Sequence, residues 1–325
     1  MGKLLLIDGN AILHRAYHAL PPLTNTKGEV VNAVYGFFSM LLGVLQDQSP
    51  SHLVVCFDRA APTFRKAMYA GYQADRPSLN DDFIPQIVLV HELLEKMHVT
   101  VFELDGYEAD DLIGTISHEA KKDVEVVILT GDRDMLQLVN KHVKILMPLV
   151  GISKTALLGE REVEEKYGVK ASQFVDYKAL IGDASDGYPG VAGIGPKTAS
   201  KLISEYGTFE NLYHHVGDLP EKLGLKLATD AEQAALAKKL AAIVLDAPIQ
   251  FDLKKCAVSS FDIKSLHKGF VDQGFKSLTA RFDTFFGKDA STGSAQEGKE
   301  EVSVVEKKKE DPSTGSGQGG QLGLL

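Results

Sequence analysis

The sequence predicts an α/β fold, a mainly parallel central sheet flanked by helices. Two observations carry this expectation. Short β-branched or leucine-rich runs recur along the first 150 residues, and several end in an acid. Between them lie segments with apolar residues at helical spacing. A buried parallel strand reads as a continuous apolar run and delivers the residue after it to one edge of the sheet.

The elements follow in order. Residues 3–7 read as a strand. Residues 30–46 carry Val34, Phe37, Phe38, Leu41, Leu42 and Leu45, a helical repeat. Residues 53–57 form a second strand. Residues 82–97 repeat Ile87, Val90, Leu94 and Met97, again helical. Residues 100–102, 124–129 and 143–146 read as further strands, with a helix over about 108–121 between the first two. Short connections between alternating strands and helices imply parallel pairing with helices on both faces. Residues 151–287 read as mainly helical, with candidates at 163–167, 171–181, 197–205 and 231–244. Gly and Pro cluster at 187–196. Beyond residue 287 the chain turns to Gly, Ser, Lys, Glu and Gln, and STGSAQ is echoed by STGSGQ. Such a composition cannot bury enough apolar surface to offset its ordering entropy, so disorder is expected there.

Composition sets outer bounds. The 325 residues are 44% hydrophobic and 24% charged, ordinary for a globular protein. No apolar run approaches a membrane span, and the start lacks a signal-peptide pattern. The two cysteines, Cys56 and Cys256, are far apart, so a disulfide framework is not expected and a reducing cytoplasm is the default location. The net charge of −9 would ordinarily argue against a nucleic-acid partner. Nine clustered carboxylates account for a deficit of that size, so local charge decides the question.

Those nine acids are Asp8, Asp58, Glu108, Asp110, Asp111, Asp132, Asp134, Asp183 and Asp186. They sit in LLLIDGN, LVVCFD, DGYEADDL, VVILTGDRDM and LIGDASDGYPG. Carboxylates gathered at strand ends repel one another unless cations neutralise them. All-oxygen donors suit Mg²⁺ or Mn²⁺, and such sites commonly handle phosphates. Glu108 and Asp111 are three apart and share a helix side, whereas Asp110 points about 100° away from Asp111. One segment can thus address two metals.

Residues 190–199 carry a second chemistry. Gly190, Gly193 and Gly195 permit a tight turn with close backbone approach. Pro196 suits the first turn of the following helix, whose free N–H groups can hold a phosphate. Thr198 lies in that turn, and Lys197 and Lys201 are four apart on one side. Contacts of this kind grip a backbone without reading bases.

These residues resemble a known family. LLLIDGN, HRAYHALPPLTN, FRKAMYAGYQADRP, GYEADD, TGDRDMLQLV and GDASDGYPGVAGIGPKTA, in this order, are similar to the 5′-nuclease domain of bacterial DNA polymerase I, within the flap endonuclease family. The resemblance runs to about residue 286. It implies an α/β metal-dependent nuclease core with a helical arch over residues 1–182. It further implies a helix-hairpin-helix DNA-binding subdomain over 183–287. The expected activity is that of a structure-specific 5′-nuclease, both 5′-3′ exonuclease and flap endonuclease. It would hydrolyse branched or nicked duplex DNA, and RNA primers at RNA–DNA junctions, by a two-metal mechanism in replication and repair. With no polymerase domain in the sequence, the expectation is a free-standing nuclease.

The resemblance also implies roles. Asp8, Asp58, Glu108, Asp110 and Asp111 match the acids around a first metal, and Asp132, Asp134, Asp183 and Asp186 those of a second group. Tyr72 and Arg76 match arch positions at the scissile phosphate, with Arg76 in a catalytic role, and Arg65 and Gln73 are further candidates for DNA contact. The hairpin over 190–199 would grip the duplex and hold K⁺ through backbone carbonyls. Two positions depart from the family pattern. Gln73 stands where Lys is usual in Tyr-Lys-Ala-X-Arg, and Gly187 stands where Asn usually follows the acidic pair. The missing charge at 73 keeps a second reading open: a flap-DNA-binding or clamp-tethered scaffold with weakened catalysis. A metal-dependent ribonuclease of a related acidic fold is a third. Finally, Gln321, Leu322, Leu324 and Leu325 in QLGLL resemble a short sliding-clamp-binding peptide on a polar tether.

Overall fold

The computed structural model describes residues 2–287. The expectations for the tail 288–325, and for the peptide containing Gln321, Leu322, Leu324 and Leu325, lie outside these residues.

The chain opens with β1 (Gly2–Asp8), α1 (Gly9–Ala19), α2 (Asn32–Gln48), β2 (His52–Cys56), α3 (Phe64–Met68), α4 (Ile84–Lys96), β3 (Thr100–Phe102), α5 (Ala109–Ala120) and β4 (Val124–Leu129). A short 3-10 helix (Asp134–Leu138) leads to β5 (Val143–Pro148) and β6 (Thr155–Leu158). The order in the sheet is β3-β2-β1-β4-β5-β6. The first five strands run parallel, and β6 closes the edge antiparallel to β5.

Alternation along the strands divides the core in two. Leu5, Ile7, Leu53, Val55, Val127 and Leu129 face one layer, with α2 and α4. Leu4, Leu6, Val54, Val126, Ile128 and Ile145 face the other, with α5 and much of the helical second half. That half contains α6 (Glu160–Tyr167), α7 (Phe174–Ile181), the hairpin of β7 (Gly182–Asp183) and β8 (Tyr188–Pro189), α8 (Pro196–Tyr206), α9 (Phe209–His214), α10 (Glu221–Thr229) and α11 (Ala231–Ala241). Then α12 (Ile263–Asp272) and α13 (Lys276–Phe286) return to the opposite face, where Leu266, Phe270, Leu278 and Phe282 pack with the α2 and α4 side chains.

Several local features were not anticipated. α1 buries Ile12, Leu13 and Ala16 and is capped by Asp8, whose carboxylate accepts the Ala11 N–H at 2.9 Å. The segment expected as a helical arch is helical only over α3, and residues 69–83 run as turns and extended chain. Gln73 at φ 52° and Pro77 both oppose a continuous helix there. The strand order reverses direction of travel at β1, with β2 on one side and β4 on the other. In such sheets the crevice at the carboxyl ends of the strands beside this reversal is where ligands bind.

Candidate metal centre and nucleic-acid interface

Four segments at that crevice supply the first carboxylate group. Asp8 ends β1, with one oxygen on Ala11 N and the other accepting the Thr130 hydroxyl at 2.7 Å. Asp58 follows β2 and caps α5, accepting Ala109 N–H at 2.7 Å. Asp110 stands in the first turn of α5 and accepts no hydrogen bond among the described residues. Asp132 follows β4, exposed, and accepts the Asp134 N–H at 2.7 Å. Burial pushes the Asp8 carboxyl up to about 7, and Asp58 and Asp132 push it the same way. Burial also raises Asp110 well above the usual carboxylate range, reinforced by Asp132, Asp8 and Asp58. Asp58 is raised by burial as well, against the Ala109 N–H and the Arg76 charge. Burial first, and then the like charges of Asp8, Asp58 and Asp132, disfavour the ionised forms here, so the group lacks a cation among the described residues to balance it.

Asp111 belongs elsewhere. It is 0% exposed, and its two oxygens meet Arg65 Nη2 and Nη1 at 2.8 Å each. One oxygen also accepts Val244 N–H at 2.9 Å, and the other Glu108 N–H at 3.1 Å. A carboxylate offers about four lone-pair directions, and all four are taken. Its expected role as a metal ligand is therefore corrected: Asp111 anchors the start of α5. Arg65 is corrected with it. It is 2% exposed and donates to Asp111, Glu108 and the carbonyls of Leu240 and Ala242, so it has no surface to offer DNA. Glu108 lies between the two roles. It accepts from Thr63, Arg65 and the Tyr72 hydroxyl, each at 3.1 Å. Tyr72 is 4% exposed, so its ring packs inside instead of facing a phosphate. Its neighbours Gln73 and Arg76 stay accessible, and Arg76 is exposed, donating to Gln73 Oε1 at 3.2 Å.

The second group is tighter. Asp134, Asp183 and Asp186 each place an oxygen within 4.8 Å of the others, a spacing at which one ion can be held. Asp134 opens the 3-10 helix after β4, and the other two lie on the β7–β8 turn. Lys178, buried on α7, reaches in with Nζ 2.6 Å from Asp134 Oδ1 and pairs with Asp183 as well. Burial works against the Lys178 ammonium, yet Asp134 and Asp183 overcome it and hold its pKa above the ordinary value. Asp134 is nonetheless raised to about 7, by burial first, against the pull of Lys178. Asp186 is raised by burial, with Gln73 opposing. One cation for three acids leaves excess charge, and hard oxygen donors at this spacing fit Mg²⁺ or Mn²⁺.

The hairpin over 190–199 lies beyond. Gly193 and Gly195 are exposed, and α8 starts at Pro196 with Gly195 as its cap. Lys197 and Lys201 are exposed, and Thr198 is half-buried. Gly190 is corrected: it is buried, and a Cβ there would collide with the Leu180 carbonyl oxygen. It lets the turn pass against α7 and cannot touch DNA.

Sequence reasoning missed four residues. Thr130 links Asp8 to the Asp132 N–H. Asn10 accepts the Asp58 N–H at 2.9 Å. Lys226 on α10 donates to the Gly193 carbonyl at 3.1 Å, adding a cation at the hairpin. Lys178 carried the one readable signal, a lysine inside the apolar helix FVDYKALI.

The chain matches the family model of the 5′-3′ exonuclease N-terminal resolvase-like domain over residues 3–168. It matches that of the 5′-3′ exonuclease C-terminal SAM fold over residues 169–264. It is 39% identical to DNA polymerase I of Caldicellulosiruptor bescii over 86% of this chain and 33% of that protein. It is 36% identical to DNA polymerase I of Bacillus subtilis over 93% of this chain and 34% of that protein. The chain thus spans about a third of the length of the curated relatives it matches. Among solved structures, a bacteriophage T5 flap endonuclease in complex with DNA and metal ions superposes with a TM-score of 0.62 at 18% identity, covering 89% of this chain and all of that one. The catalytic core of Rad2 in complex with DNA superposes at 0.58 and 15% identity, over 88% and 91% of the two chains. At these identities the likeness establishes a shared fold.

Proposed function

The chain belongs to the 5′-3′ exonuclease family of hydrolytic nucleases, and on that premise we propose that it cuts branched or nicked duplex DNA at 5′ ends and 5′ flaps. The observation that carries the reading is the pair of carboxylate groups at one end of the sheet, whose ionised forms nearby cations do not fully balance. Two proteins that share the fold, a bacteriophage T5 flap endonuclease and the catalytic core of Rad2, both in complex with DNA, support it by analogy.

In this reading Asp8, Asp58, Asp110 and Asp132 would hold one divalent cation, and Asp134, Asp183 and Asp186 a second. Mg²⁺ or Mn²⁺ held there would supply an activated water and neutralise charge at the leaving oxygen. The protein's own groups do the rest. Arg76, exposed and close enough to lower the Asp58 pKa, meets the scissile phosphate and the displaced strand. Lys197, Lys201 and the first N–H groups of α8 grip the downstream duplex backbone without regard to sequence. K⁺ at the hairpin would share its carbonyls with the Lys226 ammonium. RNA primers at RNA–DNA junctions are a further substrate, since the proposed contacts go to phosphates, which RNA and DNA share. The clamp-tethering role of Gln321, Leu322, Leu324 and Leu325 is part of the same proposal. A cytoplasmic setting fits two buried free thiols, Cys56 and Cys256.

The experiment is cleavage of a 5′-labelled double-flap DNA with Mg²⁺, with Mn²⁺ and with EDTA. Metal-dependent cutting near the junction is expected. A second reading, a flap-binding scaffold, draws on the neutral Gln73 side chain at the arch. Tight binding of the same DNA without cutting would favour it, and Gln73→Lys would then restore turnover.

A further inference from the structure

Three consecutive residues of the arch segment meet three consecutive residues of the acidic turn. The Gly71 carbonyl lies over Gly187, where a Cβ would come within 2.7 Å of its oxygen. The Tyr72 ring lies parallel to Tyr188, centroids 6.3 Å apart and planes 15° apart. Gln73 donates its backbone N–H to the Asp186 carbonyl at 2.8 Å and its amide Nε2 to Asp186 Oδ1 at 3.0 Å. The Tyr72 hydroxyl reaches the other way, to Glu108. The foot of the arch therefore touches Asp186 of the second carboxylate group and Glu108 at the start of α5 at once.

Gln73 and Gly187 are the two positions where the chain departs from the family pattern, and here they are in contact through Asp186. A side chain at 187 would push Gly71 away and carry Gln73 out of reach. The cause is the collision with the carbonyl, because Asn tolerates the left-handed φ of 72° that Gly187 adopts. A lysine at 73 would neutralise Asp186. Glutamine holds Asp186 by a hydrogen bond and leaves its charge for a cation.

We propose that Gln73 is a positioning residue, and that with Gly187 it forms a joint through which the order of the arch and cation binding at Asp134, Asp183 and Asp186 depend on each other. This rests on the nuclease reading only for its catalytic consequence. The joint ties the phosphate-facing Arg76, bonded to Gln73, to the second carboxylate group.

The test uses the full chain as wild type, Gly187→Asn, Gln73→Ala, Gln73→Glu and the Gly187→Asn/Gln73→Ala double variant. Amide exchange over residues 70–76 is followed with and without Mn²⁺, and Mn²⁺ binding is titrated separately. Each single variant should speed exchange at residue 73 about tenfold or more, and the double variant no more than Gly187→Asn alone, since that change already takes residue 73 away from Asp186. Gln73→Glu is isosteric and should open the joint by repulsion from Asp186 even if Gly187→Asn fails to fold. Mn²⁺ should slow exchange in the wild type and not in the variants. On flap DNA, kcat should fall several-fold with KM within about twofold of wild type. Additive effects in the double variant, or exchange unchanged in Gln73→Glu, would overturn the joint. Wild-type exchange that behaves as expected without any cleavage of flap DNA would leave the joint standing and remove the nuclease reading.

Discussion

Asp110 and Asp111 are adjacent, yet replacing each by Asn should move stability in opposite directions. Asp111 accepts two hydrogen bonds from Arg65 and one each from the Val244 and Glu108 N–H groups. In Asp111→Asn one oxygen becomes an amide that faces donors, and Arg65 is left buried beside a weakened partner. Breaking one side of a buried ion pair costs about 3–5 kcal/mol, a large part of the roughly 5–15 kcal/mol that holds a domain folded. Asp110 has no such partner and sits among like charges. Burial and the charges of Asp132, Asp8 and Asp58 all disfavour its charged form, and a neutral amide removes that cost. Asp110→Asn should therefore be more stable than the wild type at pH 8 in EDTA. Urea denaturation of both variants, repeated with Mn²⁺, reads the contrast. Mn²⁺ should stabilise Asp111→Asn as it does the wild type and should stabilise Asp110→Asn less. A stable Asp111→Asn that no longer responds to Mn²⁺ would refute the assignment of Asp111 as an anchor.

Other outcomes follow from the same geometry. Asp8, Asp58, Asp110, Asp134, Asp186 and Glu108 all have folded-state pKa values above their ordinary ones. Between the unfolded and folded values the folded state binds more protons, so without divalent ions stability should fall as pH rises from about 4 to about 7. Thermal melts in EDTA that rise over this range would contradict it. Lys178→Met leaves Asp134 and Asp183 without their cation and should cost about 3–5 kcal/mol in EDTA, with a larger share regained on adding Mn²⁺ than in the wild type. Equal Mn²⁺ responses in urea titrations would count against Lys178 as the internal counter-charge. Lys197→Ala should weaken binding to duplex of any sequence and reduce the slope of log affinity against log salt by about 1. Fluorescence anisotropy across a salt series measures that slope, and an unchanged slope would remove Lys197 from the interface.

Much of the fold was legible because parallel strands buried on both faces are written as continuous apolar runs. All five parallel strands were read within a few residues of their observed bounds. β6 was missed, since a half-buried edge strand of four residues, TALL, has no distinctive period. α1 was missed because its apolar face, Ile12, Leu13 and Ala16, is short and interrupted by His14 and Arg15. The arch was over-read as helix, since resemblance carries a shape forward while Gln73 and Pro77 decide the local backbone.

The sequence by itself determined which acids lie at the ends of strands, because chain direction and apolar runs settle where an element stops. It also determined the hairpin lysines, because a helix start after Gly-Pro exposes its first turn. Only the tertiary structure decided which acids are free. Arg65 lies 46 residues before Asp111 and Val244 133 residues after it, and no local pattern foretells that they converge on one carboxylate. Likewise Gln73 and Asp186 are 113 residues apart, and beside their contact the Gly71 carbonyl lies where a Cβ at 187 would be. A carboxylate's chemistry depends on what already occupies its lone pairs, and that is settled by packing between distant segments.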